Sequence, residues 1–360
     1  NEIKVVVDNS QHPNSRWYTG SGIHRPVWMH IGNKEHIRHQ GLRITTLSHQ
    51  PARIQIETQH TGEEVQVEIR HEGKIVASGK GDNLSLDIPS AKLWSDESPH
   101  LYQCVVQLKK DGEIVDQIVE DFGIRTIEWN ANGLFVNGNE TLLRGGCVHS
   151  DNGILGAVSL PVSEDRRIRI MKEAGFNAIR SSHNPASKAM LEACDKYGMF
   201  VMDESWDMWY FHKSKYDYAS QFMDHYKHDL RAMVQRDYNH PSVIMYSIGN
   251  EISEPKDEKG VQLAREMVAI IKELDATRPV TCGVNLMVIN MASKGKGIYK
   301  EEGGREKETT GGGDKKVSST LFNLMTSFVG TGMNKAANSK KADAVTTPLF
   351  DSLDIAGYNY

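Results

Sequence analysis

At 360 residues the chain exceeds what one hydrophobic core ordinarily holds, and its 39% hydrophobic and 25% charged content, with 31 Gly and 11 Pro, fits a folded protein of two or three domains. A net charge of -5 excludes the basic footprint of a nucleic-acid binder, and no apolar run approaches the roughly 20 residues of a membrane-spanning helix. The four cysteines, Cys104, Cys147, Cys194 and Cys282, form no Cys-x-x-Cys pair, so neither a metal cage nor a disulfide framework is indicated.

Residues 1–38 begin with strand-like Ile3-Lys4-Val5-Val6-Val7 and continue through Arg16-Trp17-Tyr18 to Pro26-Val27-Trp28. One hairpin is not stable alone in water, so this piece reads as the C-terminal tail of a larger β domain. Asn1 falls in what looks like mid-strand, and the missing signal peptide leaves export open.

Over 39–125 short alternating segments recur: Ala52 to Glu57, Val65 to Ile69, Lys74 to Ala77, Leu84 to Ile88 and Tyr102 to Leu108. Glu72-Gly73, Gly81-Asp82-Asn83 and Asp111-Gly112 break them, which predicts an immunoglobulin-like β-sandwich. No chemistry is visible in it.

From 126 onward strands alternate with helices. Leu142 to Gly146 reads as a strand, Ser163-Glu164-Asp165 opens a helix, and Phe176 to Arg180 is a second strand. A helix over Met190, Ala193 and Tyr197 leads to strand three, Met199 to Met202. A helix over Leu230, Met233 and Val234 precedes strand four, and one over Val261, Ala264 and Met267 precedes Pro279-Val280. Strict alternation requires a parallel sheet. A doubly wound sheet would want a Gly-rich phosphate loop, and Gly145-Gly146 starts no such fingerprint. The residues 294–341, which include Gly311-Gly312-Gly313, read as a surface excursion or a mobile lid, part of which, at Leu321-Phe322-Asn323-Leu324-Met325, is expected to pack as a helix. Asp354 to Tyr360 reads as strand six. The expected architecture is therefore multidomain β plus α/β: β-sandwich pieces, then a (β/α)8 TIM barrel on 126–360 that stops after strand six.

Strand four, Val243-Ile244-Met245-Tyr246-Ser247-Ile248-Gly249-Asn250-Glu251, is an apolar run that stops on an amide and a carboxyl. In an α/β barrel the C-terminal strand ends form the catalytic face, where partial desolvation keeps a carboxylic acid protonated near neutral pH. Glu251 is accordingly a general acid/base candidate, or else a strand-end cap for the next helix. The other strands also end on polar residues: His149, Arg180 with His183, and Asp203 with Glu204.

A β domain ending in Arg16-Trp17-Tyr18 through Trp28, a sandwich, and a barrel carrying Arg180-Ser181-Ser182-His183-Asn184-Pro185 and Gly249-Asn250-Glu251 resembles glycoside hydrolase family 2. That family holds retaining β-galactosidases, β-glucuronidases and β-mannosidases. The resemblance implies Glu251 as acid/base and Asn250 as the donor to the sugar 2-hydroxyl. It implies His149 and His183 in the terminal-sugar pocket, Arg180 as support for the nucleophile, and Tyr360 near it. The nucleophilic Glu follows strand seven in the family and is expected beyond Tyr360. Asp151 and Trp206 are further sugar-contact candidates; the alternatives are a loop cap for Asp151, rim packing for Trp206, and ordinary loop hydrogen bonding for the two histidines. Asp203-Glu204-Ser205-Trp206-Asp207 lacks the family's Glu-x-His ligand pair, so no metal and no other cofactor is expected. The expected partner is a carbohydrate, most readily a terminal β-galactoside. The alternatives are a glucuronide or mannoside, or a catalytically silent sugar-binding fragment. Homo-oligomerisation is compatible with the sequence but not specified by it, and a periplasmic or extracellular setting is preferred to the cytoplasm.

Overall fold

The structure, a computed structural model, describes residues 2–17, 20–296, 299 and 339–359. Seven strands form the first unit: β1 (Ile37–His49), β2 (Ala52–His60), β3 (Glu64–His71), β4 (Lys74–Lys80), β5 (Asn83–Asp87), β6 (Tyr102–Lys110) and β7 (Glu113–Phe122). They pair as two antiparallel sheets of order β1-β2-β5 and β4-β3-β6-β7. The period of two turns Ile54, Ile56, Val67, Ile69, Cys104, Val106 and Leu108 inward, all fully buried. Each large side chain so buried contributes about 1.5–3 kcal/mol.

Two strands here lack a clean alternating signature. The register of β1 shifts between Ile37 and Leu42, where Gln40 has a φ of +55°. There Gly41 lies so close to the Arg38 and Gln59 carbonyls that a Cβ would sit 2.8–2.9 Å from them. Strand β7 closes the Asp111-Gly112 hairpin with half of its side chains exposed.

The strand expected at Ile3-Lys4-Val5-Val6-Val7 does not form. Residues 2–17 and 20–36 contain no strand, and Ile3, Val5, Val6 and Val7 are exposed. A strand is held by its neighbour's ladder, and none of the described strands lies alongside. This segment instead lies against the barrel: Arg25 Nη2 donates to the Pro185 carbonyl at 2.7 Å, and the amides of Tyr216 and Ser159 donate to the Pro13 and His24 carbonyls at 3.0 Å.

A small meander, β8 (Ile127–Asn130), β9 (Gly133–Val136) and β10 (Asn139–Glu140), turns at Asn137-Gly138 and leads into the barrel. Six parallel strands follow in sequence order: β11 (Gly145–His149), β12 (Ala178–Ser182), β13 (Phe200–Glu204), β14 (Val243–Asn250), β15 (Val280–Val284) and β16 (Gly357–Tyr358). The helices are α1 (Pro161–Glu173), α2 (Lys188–Tyr197), α3 (Ala219–Asp237), α4 (Glu258–Leu274), α5 (Leu286–Ser293) and α6 (Lys340–Phe350). Ser187 caps α2 by accepting from the Met190 amide, and left-handed Gly198 ends it.

Several boundaries move. Strand one starts at Gly145 rather than Leu142, because Leu142 is exposed and its carbonyl accepts from the Asn177 side chain at 3.0 Å. Strand two starts at Ala178, strand six shrinks to Gly357–Tyr358, and α1 opens at Pro161, where the missing amide costs nothing. All eight residues of β14 are buried, as a central parallel strand covered by helices requires. The helix expected at Leu321 to Met325 lies outside the described residues, as does Tyr360.

Candidate active site

The end of β14 delivers two adjacent side chains. Asn250 is 2% exposed and Glu251 6%. Glu251 has a φ of +45°, in the left-handed region that non-glycine residues rarely occupy and that concentrates at functional sites. Its amide donates to the Gly283 carbonyl of β15 at 2.6 Å, which holds this turn off the strand. The carboxylate Oε1 accepts from Asn285 Nδ2 at 3.1 Å, and Oε2 lies 3.6 Å from Arg16 Nη1.

Below it, Arg180 spans the barrel interior. Its Nε donates to Glu204 Oε2 at 2.8 Å, its Nη2 to Asn250 Oδ1 at 2.9 Å and its Nη1 to Asn359 Oδ1 at 3.1 Å. Glu204 also accepts from Ser247 Oγ at 2.7 Å and meets His183 Nδ1. Arg180 thus joins β12, β13, β14 and the end of β16 in one hydrogen-bonded layer. The neighbouring Asp203 points to the other face of β13, where it accepts from Ser181 Oγ and the Ala186 amide. Burial, and Asp237 nearby, push its carboxyl well above the usual carboxylate range. Period two separates these adjacent acids: Glu204 serves the site, Asp203 the helix layer.

A second cluster closes the rim. Asp207 Oδ1 accepts from Arg16 Nη2 at 2.9 Å, Lys213 Nζ at 3.0 Å and Asn250 Nδ2 at 2.8 Å. Burial alone would raise the Asp207 carboxyl, but the charges of Lys213 and Arg16 and the hydrogen bonds from Arg16 and Asn250 outweigh it and hold it far below the ordinary range. Lys213 is pulled down by burial against the opposing charge of Asp207, and its ammonium also donates to the Asn250 carbonyl.

Trp17 from the N-terminal segment packs against both rim histidines, with ring centroids 4.9 Å from His149 and 4.8 Å from His183; the two imidazoles meet edge-on at 5.4 Å. Burial, and then His183, push His149 below its ordinary value, so the ring is neutral at neutral pH. Its buried Nδ1 has no hydrogen-bond partner among the described residues.

Of the residues expected at the site, Glu251, Asn250, Arg180, His149 and His183 converge. Trp206 is 7% exposed and packs edge-on against Phe222 at 5.0 Å, with one edge on the cleft described below. Asp151 is exposed, and its carboxylate accepts from the Gly153 amide at 3.0 Å. Among the described residues no group of three or more His, Cys, Asp or Glu side chains is placed to hold a metal ion. The sequence reading missed Arg16, Trp17, Asp207 and Lys213 as site residues. The one available signal was the Arg16-Trp17-Tyr18 run, which sat in a segment assigned to another domain.

A cleft of about 660 Å³ opens beside the site, its lining including Trp17, Arg25, His183, Trp206, Asp207 and Arg236. Glu251 does not line it; the site is defined by the strand ends, and the cleft is its neighbour. Chemically, the arrangement offers a buried carboxyl at a strand end, an amide N–H beside it and a rim of rings. Glu204 and Asp207 are each committed to cations.

Residues 40–125 match the family description "Glycosyl hydrolases family 2", and residues 127–303 match "Glycosyl hydrolases family 2, TIM barrel domain". A β-galactosidase of Bacteroides ovatus is 34% identical over 338 residues, covering 79% of this chain and 40% of that protein. A β-glucuronidase of Felis catus is 30% identical over 306 residues, covering 79% of this chain and 46% of the other. The crystal structure of a glycosyl hydrolase family 2 member from Bacteroides cellulosilyticus superposes with a TM-score of 0.76 at 34% identity, covering 96% of this chain and 40% of that one. The chain thus spans less than half the length of these relatives, and it belongs to glycosyl hydrolase family 2.

Proposed function

We propose that this chain carries the acid/base part of a retaining glycosidase that removes a terminal non-reducing β-linked hexose, with β-galactoside as substrate. The observation that carries the reading is Glu251 at the C-terminal end of β14, beside Asn250, on the face where Trp17, His149 and His183 meet. Glu251 protonates the leaving oxygen and then, as carboxylate, takes a proton from the water that hydrolyses the glycosyl-enzyme. Asn250 gives one amide hydrogen to Asp207 and keeps the other for the sugar 2-hydroxyl, a bond that strengthens as the oxocarbenium-like transition state forms. Arg180 holds Asn250 and the interior layer in place.

A retaining mechanism needs a second carboxyl about 5–5.5 Å from the first. In the family it follows strand seven, and the proposal assigns it to the full-length protein. Relatives carry both β-galactosidase and β-glucuronidase names, and the choice of galactose rests on the two rim histidines. The division into 1–38, 39–125 and 126–360 belongs to the same reading.

Full-length protein assayed on nitrophenyl β-galactoside, β-glucuronide and β-mannoside decides the substrate. Galactoside turnover is expected, and turnover of glucuronide alone would overturn the choice.

A further inference from the structure

We infer that Arg16 is a positioning residue for Glu251, so that a segment outside the barrel sets the aim of the acid/base. This rests on Glu251 acting as proposed above. A guanidinium is planar and rigid, so fixing two of its nitrogens fixes the third. Asp207 holds Arg16 with a fork, Nε to Oδ2 at 3.3 Å and Nη2 to Oδ1 at 2.9 Å, and the remaining Nη1 faces Glu251 Oε2 at 3.6 Å. Asp207 cannot turn away, because Lys213 and Asn250 also hold its Oδ1. Nor is the Arg16 backbone loose: Trp17, the next residue, is packed between His149 and His183, and the Arg16 guanidinium lies 5.0 Å over its ring.

The two oxygens of Glu251 thus have separate partners, Oε1 being met by Asn285 after β15 and Oε2 by Arg16. Neither partner is on β14. A carboxyl leaving its strand through a left-handed residue depends on such outside contacts to stay aimed at a leaving oxygen. Arg16 touches neither the sugar nor the scissile bond in this assignment and acts through Asp207 and Glu251.

The test compares kcat/KM of the full-length enzyme on a phenyl glycoside, which needs protonation, and a dinitrophenyl glycoside, which needs little. Arg16→Gln is expected to lose about 100-fold on the phenyl substrate, the cost of a misplacement of about 1 Å, and no more than about 3-fold on the activated one. Arg16→Lys recovers only part, since an ammonium cannot make the fork. Arg25→Gln, which removes an anchor of the same segment without touching Glu251, lowers both substrates by one factor and supplies the structural baseline. An equal loss on both substrates in Arg16→Gln overturns the inference. Glu251→Gln run alongside separates the two ideas: no leaving-group dependence there sinks the acid/base reading, whereas dependence there but not in Arg16→Gln sinks this inference alone. Should Arg16→Gln lose its thermal transition, Asp207→Asn releases the guanidinium from its other end and is read by the same ratio, with an equal loss again overturning the inference.

Discussion

Replacing Glu251 by Gln keeps the shape of the side chain and removes its proton chemistry. The structural cost is small. The amide oxygen can accept from either Asn285 or Arg16, but the amide nitrogen then faces the other donor, so one interaction is lost, about 1–3 kcal/mol of stability. The catalytic cost is larger: a positioned general acid contributes about 10²- to 10⁴-fold, or about 3–5 kcal/mol of barrier. The variant therefore keeps its thermal transition and its sugar affinity while kcat/KM on a phenyl glycoside falls by at least about 100-fold. A dinitrophenyl glycoside, whose leaving group departs without a proton, keeps most of its glycosylation rate. Measuring glycosylation on both substrates, together with a melting curve, checks this. Equal loss on the two substrates in a variant that still melts cooperatively would refute the argument and make Glu251 a structural cap.

Three further outcomes follow from the same geometry. His183→Ala removes a ring packed on Trp17 and a partner of Glu204, and is expected to raise KM about tenfold while the barrel stays folded; a collapsed thermal transition would assign the ring to packing instead. Arg278 is 3% exposed, pairs with buried Asp275, and donates to the Val243, Tyr238 and His240 carbonyls beneath β14. Arg278→Met leaves Asp275 without its cation and should cost about 3–5 kcal/mol, roughly 6–20 °C in the melt, with Asp275→Asn in the same background recovering part. Burial depresses His240, but the charge and hydrogen bond of Asp195 outweigh it, so its folded value stands above the ordinary 6.5. The stabilisation from this pair is therefore fully present below the unfolded value and is lost as pH rises through the folded one. Wild type should lose more thermal stability than His240→Gln between about pH 6 and 9, and parallel curves would contradict the assignment.

The local elements were legible because their signal is local. Period-two runs such as Val65 to Ile69 and the helical spacing of Val261, Ala264 and Met267 encode which face is apolar, whatever the rest of the chain does. Strand β1 was hidden because its bulge breaks the period, and the segment at Ile3 to Val7 shows the converse: β-forming residues do not make a strand without a neighbour. At the site, Asn250 and Glu251 could be read from the abrupt end of an apolar strand, and the rim histidines from their places at the end of β11 and just after β12.

By itself, the sequence determined the strand–helix alternation of the barrel, its parallel sheet, the family and the residues each barrel strand presents at its C-terminal end. Only the tertiary structure decided which partners those residues meet. Arg16 reaches Asp207 across 191 positions, and Asn359 reaches Asn250 across 109, through a closure of chain that no short-range spacing records. It also decided that Glu204 turns into the site while Asp203 turns away, since a strand's register against its neighbours, not its composition, fixes which of two adjacent acids faces the barrel interior.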